Sequence, residues 1–255
     1  MAFIPDSRPF SPAVADSATI DAGLRSYMLR VYNWMTSGLL LTGIVAYAVA
    51  NTSLIDLFYR QVQTARGLSV QPTILGYAAV FAPLVFVMVL SFGVNRLSTT
   101  AVQGLFWAFA AAMGASMANI FLIYSGGSIA RVFFITAGTF AAMSAYGYMT
   151  KADLSRMGSF LMMGLIGVVI ASLVNSFVGS TMMQFVISIV GVLVFVGLTA
   201  YDTQRIKNDY GQLAYAEGVD GAAKRSVYDA LSLYLNFINL FMLLLNLFGN
   251  RNSNS

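Results

Sequence analysis

The stretch MMQFVISIVGVLVFVGLTAY, residues 182–201, is almost wholly apolar. At a helical rise of about 1.5 Å per residue, a run of this length spans about 30 Å, which is the hydrocarbon thickness of a bilayer. Tyr201-Asp202-Thr203-Gln204 closes the run and attaches an acid directly to it. A carboxylate costs roughly 2.5–3.5 kcal/mol at the bilayer centre, so one that is kept usually has a partner and a use. The stretch predicts a membrane-spanning helix with Asp202 as its candidate functional residue.

The composition extends the membrane prediction to the whole chain. Of 255 residues, 58% are hydrophobic and only 9% are charged, whereas a soluble domain carries about 25% charged residues. The sequence has no cysteine and no histidine, which excludes disulfides, thiolate catalysis and the commonest zinc ligand. It also has no Gly-x-Ser-x-Gly motif and no phosphate-binding loop. We therefore expect no enzyme activity, no bound cofactor and no nucleic-acid partner.

Apolar segments long enough to span the bilayer occur seven times along the chain. Because lipid offers the backbone no hydrogen-bond partners, each segment must be a helix. The sequence thus predicts an all-α, polytopic membrane protein surrounded by the lipid bilayer. The predicted spans are approximately Asn33–Ala50, Thr73–Val94, Ala101–Tyr124, Val132–Met149, Ser159–Val178, Met182–Tyr201 and Val227–Phe248.

The polar segments outside the spans complete the domain organisation. Residues 1–30 contain three prolines and scattered charges, which predicts a mobile cytosolic tail with a short helix around Asp21–Tyr32. Residues 31–249 form the seven-helix domain, and 250–255 form a short C-terminal tail. In the connection between the first two spans, Leu54–Tyr59 is predicted to lie along the membrane interface.

The distribution of Lys and Arg predicts the orientation in the membrane. Ten of these residues fall on the N-terminal side of the predicted spans and four on the other side. Because cytosolic loops carry the excess of positive charge, we expect a cytosolic N-terminus and an external C-terminus. Arg96, Asp202 and, somewhat deeper, Asn236 then share the cytosolic half of the bilayer. From position alone, Asp202 and Arg96 are equally well explained as interfacial charges that reach water.

Two motifs resemble those of a known family. Tyr201-Asp202-Thr203-Gln204 follows the sixth span, and ALSLYLNFINLF, residues 230–241, fills most of the seventh. This pair resembles the Bax inhibitor-1 family (transmembrane Bax inhibitor motif proteins) in a bacterial form, and Asn95-Arg96-Leu97-Ser98 matches the basic motif that closes the family's second helix. The resemblance covers about residues 25–249. It implies a multi-pass protein of the bacterial inner membrane, with the last of seven helices at the centre of the bundle.

The resemblance also implies a pH-modulated calcium leak. In such members, an acid on the sixth helix shares a proton with an acid on the seventh, or pairs with the arginine that ends the second helix. Carried over, Asp202 is the sixth-helix acid and a weak calcium candidate, and Arg96 is the arginine. Asn236 stands where members of the calcium-leak type have Asp. Because the repulsion of two carboxylates is missing and calcium prefers anionic oxygens, we expect calcium or proton permeation with a weakened pH response.

Four further polar residues are auxiliary candidates. Asp229 lies two turns before Asn236 on the same helix face, where it could replace the missing acid, although a helix-start residue is the favoured interpretation. Asn239 lies close to Asn236 in the seventh span. Asn119 and Asn175 lie inside the third and fifth spans, where they could line a pathway or, more often, bond to a neighbouring helix.

Two other functions stay open from the sequence. Bacterial members of the family include a modulator of a membrane-bound ATP-dependent protease, so the resemblance also implies a non-enzymatic regulator with a protease as its partner. For that function, the exposed tail at residues 1–30 is the useful feature. A transporter for another solute is the third possibility, for which the sequence shows no binding motif.

Overall fold

The chain is a helical bundle with one small β-hairpin in the part that the structure describes. The computed structural model describes residues 12–64, 67–93, 96–216 and 218–251. Within these ranges the order of elements is α1 (Pro12–Ala50), α2 (Ile55–Phe58), β1 (Tyr59–Thr64), β2 (Gly67–Pro72), α3 (Ile74–Gly93), α4 (Thr99–Met117), α5 (Ile120–Ile123), α6 (Gly126–Met149), α7 (Ser155–Val178), α8 (Thr181–Ala216) and α9 (Gly218–Phe248).

Seven helical segments in the described ranges are long and apolar enough to cross a membrane, which confirms the predicted all-α polytopic fold. They are Asp21–Ala50, Ile74–Gly93, Thr99–Ile123, Gly126–Met149, Ser155–Val178, Thr181–Tyr210 and Gly221–Phe248. The main difference from the predicted spans lies at the end of the sixth. Helix α8 continues to Ala216, so Asp202 lies in the interior of this helix, with helical residues before and after it.

The last helix is the most buried of the seven. In its most apolar stretch 56% of the residues are buried, against 17–33% in the other six. It packs against α1, α4, α6 and α8, and Leu233, Tyr234 and Leu240 on it are fully buried. Because the outer helices cover most of it, a buried polar side chain on α9 must find its partners inside the protein.

Helix α1 begins well before the predicted end of the N-terminal tail at residue 30. It starts at Pro12, and proline is favoured in the first turn of a helix because it lacks only an N–H group that would have no partner there. Tyr27 and Met28 on this helix are buried, and the Tyr27 ring contacts the ring of Tyr210 on α8. The part of α1 around Tyr27 and Met28 therefore packs in the bundle although it lies within the predicted tail, and residues 1–11 lie outside the described part of the chain.

The connection between the first two spans contains a hairpin that the sequence analysis did not predict. After α2, the antiparallel strands β1 and β2 pair from Tyr59 opposite Pro72 to Thr64 opposite Gly67. Tyr59 is buried and donates a 2.5 Å hydrogen bond to the Ser116 carbonyl on α4. Burial raises the pKa of the Tyr59 hydroxyl, so this group keeps its proton. The hydrogen bond fixes the base of the hairpin to the bundle.

The beginning of the predicted C-terminal tail packs against the junction of α5 and α6. The Ser125 amide donates to the Asn250 carbonyl at 3.1 Å, and the Asn250 amide donates to Ser128 Oγ at 2.8 Å. Arg251 also forms an isolated β-bridge with Tyr124. These contacts attach the end of the central helix to the outer layer.

Candidate functional site

Asp202 is buried between α8 and α9, with both carboxylate oxygens engaged. Asp202 is only 6% exposed. Oδ1 lies 3.0 Å from Arg205 Nη2, which is an ion pair to a residue three positions later on the same helix. Oδ2 accepts hydrogen bonds from Asn236 Nδ2 at 2.7 Å and from Ser232 Oγ at 3.0 Å. The carboxylate is thus held by Arg205 on its own helix and by Ser232 and Asn236 on one face of the central helix.

These four residues, which we call the Asp202 cluster, form a closed set. Arg205 Nη2 also donates to Ser232 Oγ at 3.3 Å, so the guanidinium contacts both Asp202 and its hydroxyl partner. Ser232 and Asn236 are four residues apart and share one face of α9. A buried charge is tolerated only when it is paired and hydrogen-bonded. The Asp202 cluster meets that requirement, except at Arg205 Nε, which is buried without a partner among the described residues.

The structure does not bring Arg96 to Asp202. Arg96 follows α3, its side chain is exposed, and within the described ranges it makes no ion pair. Its backbone amide bonds to the Gly93 carbonyl at 2.9 Å. The partner position is taken by Arg205 because α8 continues past Asp202, which places the residue three positions later on the same face. A role for Arg96 in another conformation stays a prediction.

Asp229 is a second buried carboxylate and does not lie at the start of a helix. Helix α9 begins at Gly218, eleven residues earlier, so the predicted role as a helix-start residue is wrong. Asp229 Oδ2 accepts a 2.6 Å hydrogen bond from the Tyr27 hydroxyl, and its Oδ1 lies 3.5 Å from Arg225 Nε. Arg225 Nη2 also lies 3.3 Å from Asp209 Oδ2 on α8. This set, the Asp229 cluster, joins α1, α8 and α9.

The three remaining candidates do not join either cluster. Asn239 is exposed, and its Nδ2 donates to the Leu235 carbonyl of its own helix at 2.9 Å. Asn175 Oδ1 accepts from the Ser180 amide at 3.1 Å in the turn after α7. Asn119 is partly buried between α4 and α5. A pathway role for Asn119 or Asn175 therefore stays a prediction.

The two residues after Asp202 fix α8 to α6 and to the α6–α7 connection. Thr203 Oγ1 lies 2.9 Å from Ser144 Oγ on α6, and Ser144 in turn bonds to the Tyr32 hydroxyl on α1. Gln204 is buried; its Oε1 accepts from the Leu154 amide at 2.8 Å, and its Nε2 donates to the Ala152 carbonyl at 2.7 Å. The Asp-Thr-Gln motif therefore fixes α8 in three directions: to α9 through Asp202, to α6 through Thr203 and to the α6–α7 connection through Gln204.

Sequence analysis missed Arg205, Ser232 and Tyr27 as partners of the two buried acids. The helical spacing contained a signal for the first two. Arg205 is three residues after Asp202, and Ser232 is four residues before Asn236, so each shares a face with a candidate that had been identified. The contact of Tyr27 with Asp229 joins residues 202 positions apart, and no local pattern encodes it.

The Asp202 cluster offers few oxygen ligands to a metal ion. Among the residues that the structure describes, no group of three or more acidic, His or Cys side chains could hold a metal ion. Calcium takes six to eight oxygen ligands, whereas the cluster offers one carboxylate, the Asn236 amide oxygen and the Ser232 hydroxyl. In the observed arrangement, the positive charge next to Asp202 is the guanidinium of Arg205.

Comparison with known proteins agrees with the fold and the motifs. The family model described as "Inhibitor of apoptosis-promoting Bax1" matches residues 24–253. Inner membrane protein YbhL of Escherichia coli (strain K12) is 45% identical over 231 residues, which are 90% of this chain and 94% of that protein. Uncharacterized protein RP147 of Rickettsia prowazekii (strain Madrid E) is 45% identical over 234 residues, 91% of this chain and 93% of that protein.

A more distant relative covers the same extent. Uncharacterized membrane protein SpyM3_0260 of Streptococcus pyogenes serotype M3 is 37% identical over 229 residues, 90% of this chain and 94% of that protein. The match spans all seven membrane-crossing segments and both acidic clusters. The chain is therefore an integral, multi-pass membrane protein that belongs to the Bax inhibitor-1 family.

Proposed function

We propose that the protein is a cation leak of the bacterial inner membrane, permeable to calcium and gated at Asp202. The observation that supports this function best is the buried Asp202 carboxylate between α8 and the central helix α9, paired with Arg205. An ionisable residue inside a membrane bundle marks an ion or proton pathway more often than a structural role. The location in the inner membrane is supported by the name of the relative YbhL.

Arg205 acts as the gate in this proposal. With its guanidinium 3.0 Å from Asp202 Oδ1, a second cation is repelled and the site is closed. The Arg205 side chain is 37% exposed, so it has room to move outward and to reach water with its long stem. Its buried, unsatisfied Nε is a cost of about 1–3 kcal/mol in the closed arrangement, which favours alternatives where Nε is solvated.

Once Arg205 has moved away, the cluster becomes a weak cation site. Asp202 supplies the negative charge, and the Asn236 amide oxygen and the Ser232 hydroxyl supply neutral oxygens after their side chains rotate. A site with one carboxylate binds calcium weakly, and weak binding is what conduction requires. Asn236 stands where members of the calcium-leak type have a second acid, so this proposal keeps the weakened pH response that the resemblance implies.

The alternative of a regulator that binds a membrane-bound protease has less support from the described residues. It relies on an exposed tail at residues 1–30, whereas α1 already begins at Pro12 and its Tyr27 and Met28 are buried. We therefore put forward the leak, and the regulator stays a prediction from the resemblance.

Calcium flux into liposomes that contain the purified full chain tests the proposed function. A calcium-sensitive dye inside the vesicles should report flux above that of empty vesicles, and the Asp202→Asn variant should lose it. The proposal is wrong if the native chain gives no flux, or if Asp202→Asn conducts as well as the native chain at equal protein density.

A further inference from the structure

A long apolar groove runs along the outside of the bundle between α1 and α6. Its volume is about 1210 Å³, which is larger than the 300–1,000 Å³ typical of sites for small molecules. The side of α1 that lines it runs from Arg25 to Ala48 with a contact every three or four residues, so the groove is about 35 Å long at helical rise. Phe237 of the central helix forms part of the floor. The groove therefore opens through the outer layer of helices to the central helix. Its length matches the full thickness of the hydrocarbon.

The walls of this α1–α6 groove include large apolar side chains that are exposed in the described structure. Leu40, Ile44 and Phe133 line it with exposed fractions of 65%, 57% and 41%. Ala137, Ala141 and Ala145 of α6 also line it, and their small side chains provide its width. Surfaces of this kind match the acyl chains of a lipid in shape and polarity.

Positive charge is concentrated at one end of the groove. Arg25 lines that end, is exposed, and has no ion pair with any residue in the described ranges. Tyr148 lines the same end, and Lys207 Nζ lies 2.7 Å from its carbonyl oxygen and 5.0 Å from its ring centroid. One cation that lines the groove, Arg25, and a second, Lys207, held against the lining residue Tyr148, therefore lie at this end of the groove.

Among the described residues that line the groove, none at the opposite end is charged. There the groove is lined by Tyr47, Ala48 and Phe133. It adjoins a second cavity of about 300 Å³ that shares Leu39, Gly43, Phe133 and Phe237 and whose lining has no charged residue. The site is thus cationic at one end and apolar along the rest, which is complementary to an anionic head group with a long apolar tail.

We propose that the α1–α6 groove binds one molecule of an anionic phospholipid, of the phosphatidylglycerol type. The phosphate lies between Arg25 and Lys207, where the guanidinium donates charge-assisted hydrogen bonds to it. An acyl chain follows α1 and α6 down to Phe237. Basic pockets between membrane helices on the cytosolic side bind anionic head groups, and the positive-charge distribution predicts that this end is cytosolic. The Tyr32–Ser144 hydrogen bond already joins the two walls of the groove.

The bound lipid has a structural consequence that is independent of the proposed leak. Its chain would cover Ser144 and Tyr32, which bond to each other and, through Ser144, to Thr203 beside Asp202. A lipid in the groove therefore shields a polar contact that otherwise borders the bilayer.

Native mass spectrometry of the purified full chain tests the site. The protein is delipidated in detergent and then titrated with phosphatidylglycerol or with zwitterionic phosphatidylcholine of the same acyl chains. We expect one tightly retained phosphatidylglycerol on the native chain. The doubly substituted variant Arg25→Gln, Lys207→Gln should weaken phosphatidylglycerol binding by roughly tenfold or more and leave phosphatidylcholine unchanged, since charge-assisted hydrogen bonds are lost.

A variant that fills the groove provides the second arm. Ala141→Trp places a large ring in the groove and should abolish retention of the lipid, whereas Ala78→Trp, on an exposed position of α3, should not. Equal retention by Ala141→Trp and the native chain overturns the proposal, as does an unchanged preference for phosphatidylglycerol in the Arg25, Lys207 variant. A co-purifying polypeptide that Ala141→Trp displaces also overturns it in favour of a helix site. Should Ala141→Trp fail to fold, the charge variant decides alone.

Discussion

The side-chain amide of Asn236 donates a 2.7 Å hydrogen bond to Asp202 Oδ2 across the interface of α8 and α9. The same oxygen accepts a bond from Ser232, while the other oxygen pairs with Arg205. The Asp202 carboxylate is therefore neutralised by its own helix and oriented by the central helix. Arg205 thus neutralises the charge of Asp202, and Ser232 and Asn236 of α9 fix the position of its carboxylate.

Replacing Asp202 removes the charge and keeps the shape. Asp202→Asn should lower calcium flux in liposomes by at least about tenfold, because the cluster then offers a cation no anionic oxygen. Asp153→Asn is the matched control. Asp153 lies in the α6–α7 connection and is exposed, and hydrogen bonds from the Ser155 side chain and from the Ser155 amide, at 2.9 Å, lower the pKa of its carboxyl. Flux that survives in Asp202→Asn at the native level would exclude Asp202 from the pathway.

Replacing Asn236 by an acid should create the pair that this chain lacks. In Asn236→Asp, two carboxylates face each other at hydrogen-bond distance and share a proton, because both cannot ionise cheaply so close together. We expect flux to change steeply with pH between about pH 6 and 8 in this variant, whereas the native chain changes gradually. Flux measured across that range provides the comparison.

Asn239→Asp is the control for this substitution. It adds the same charge to the same helix at an exposed position outside the Asp202 cluster, so its pH response should match that of the native chain. A steep step in the native chain itself would show that the Asp202–Asn236 pair behaves as two acids do, contrary to this expectation.

The two arginines that compete for the role of gate can be separated by substitution. Arg205→Gln removes the 3.0 Å ion pair to Asp202 and should raise calcium flux several-fold, because no guanidinium then blocks the carboxylate. Arg96→Gln should leave flux unchanged, since Arg96 makes no ion pair within the described part of the chain. If Arg96→Gln opens the leak and Arg205→Gln does not, the family-derived pairing of Arg96 with Asp202 operates in place of the observed one.

The Asp229 cluster makes a prediction about stability. Tyr27→Phe removes the 2.6 Å hydrogen bond to the buried Asp229 carboxylate, and an unsatisfied buried acceptor costs roughly 1–3 kcal/mol. We expect a lower thermal unfolding midpoint in detergent. Tyr77→Phe, at an exposed position of α3, removes the same hydroxyl and should leave the midpoint unchanged. Equal midpoints for the two variants would mean that the contact between α1 and α9 contributes little.

The sequence predicted the membrane fold well because the bilayer dictates it. An apolar segment of sufficient length has no alternative to a helix in lipid, so the seven spans follow from hydropathy alone. Hydropathy indicates which residues lie in the membrane, however, and not where a helix ends. It placed a boundary after Tyr201, whereas α8 continues in polar residues to Ala216. For that reason Arg205 was not predicted as the i+3 partner, and Arg96 was predicted from the family resemblance instead.

The position of Asp229 was misjudged for the same physical reason. Hydropathy predicts that the seventh span begins at Val227, which makes Asp229 a helix-start residue. Because α9 already begins at Gly218, Asp229 lies in the helix interior and needs a buried partner, which α1 supplies through Tyr27. Contacts between distant segments depend on packing, and a single sequence carries no local signal for them.

Close backbone contact beside the Asp202 cluster gives the final prediction. At Gly147 on α6, an added Cβ would lie 2.2 Å from the Ala200 carbonyl oxygen on α8, two residues before Asp202. Gly147→Ala must push the two helices apart, and such overpacking typically costs 1–3 kcal/mol. Gly138→Ala on the same helix meets no atom within 4 Å, so it should be neutral or stabilising because alanine favours the helix by about 1 kcal/mol. Thermal unfolding should therefore rank Gly138→Ala at or above the native chain and Gly147→Ala below it. The opposite order would mean that α6 and α8 do not touch through their backbones at the level of Asp202.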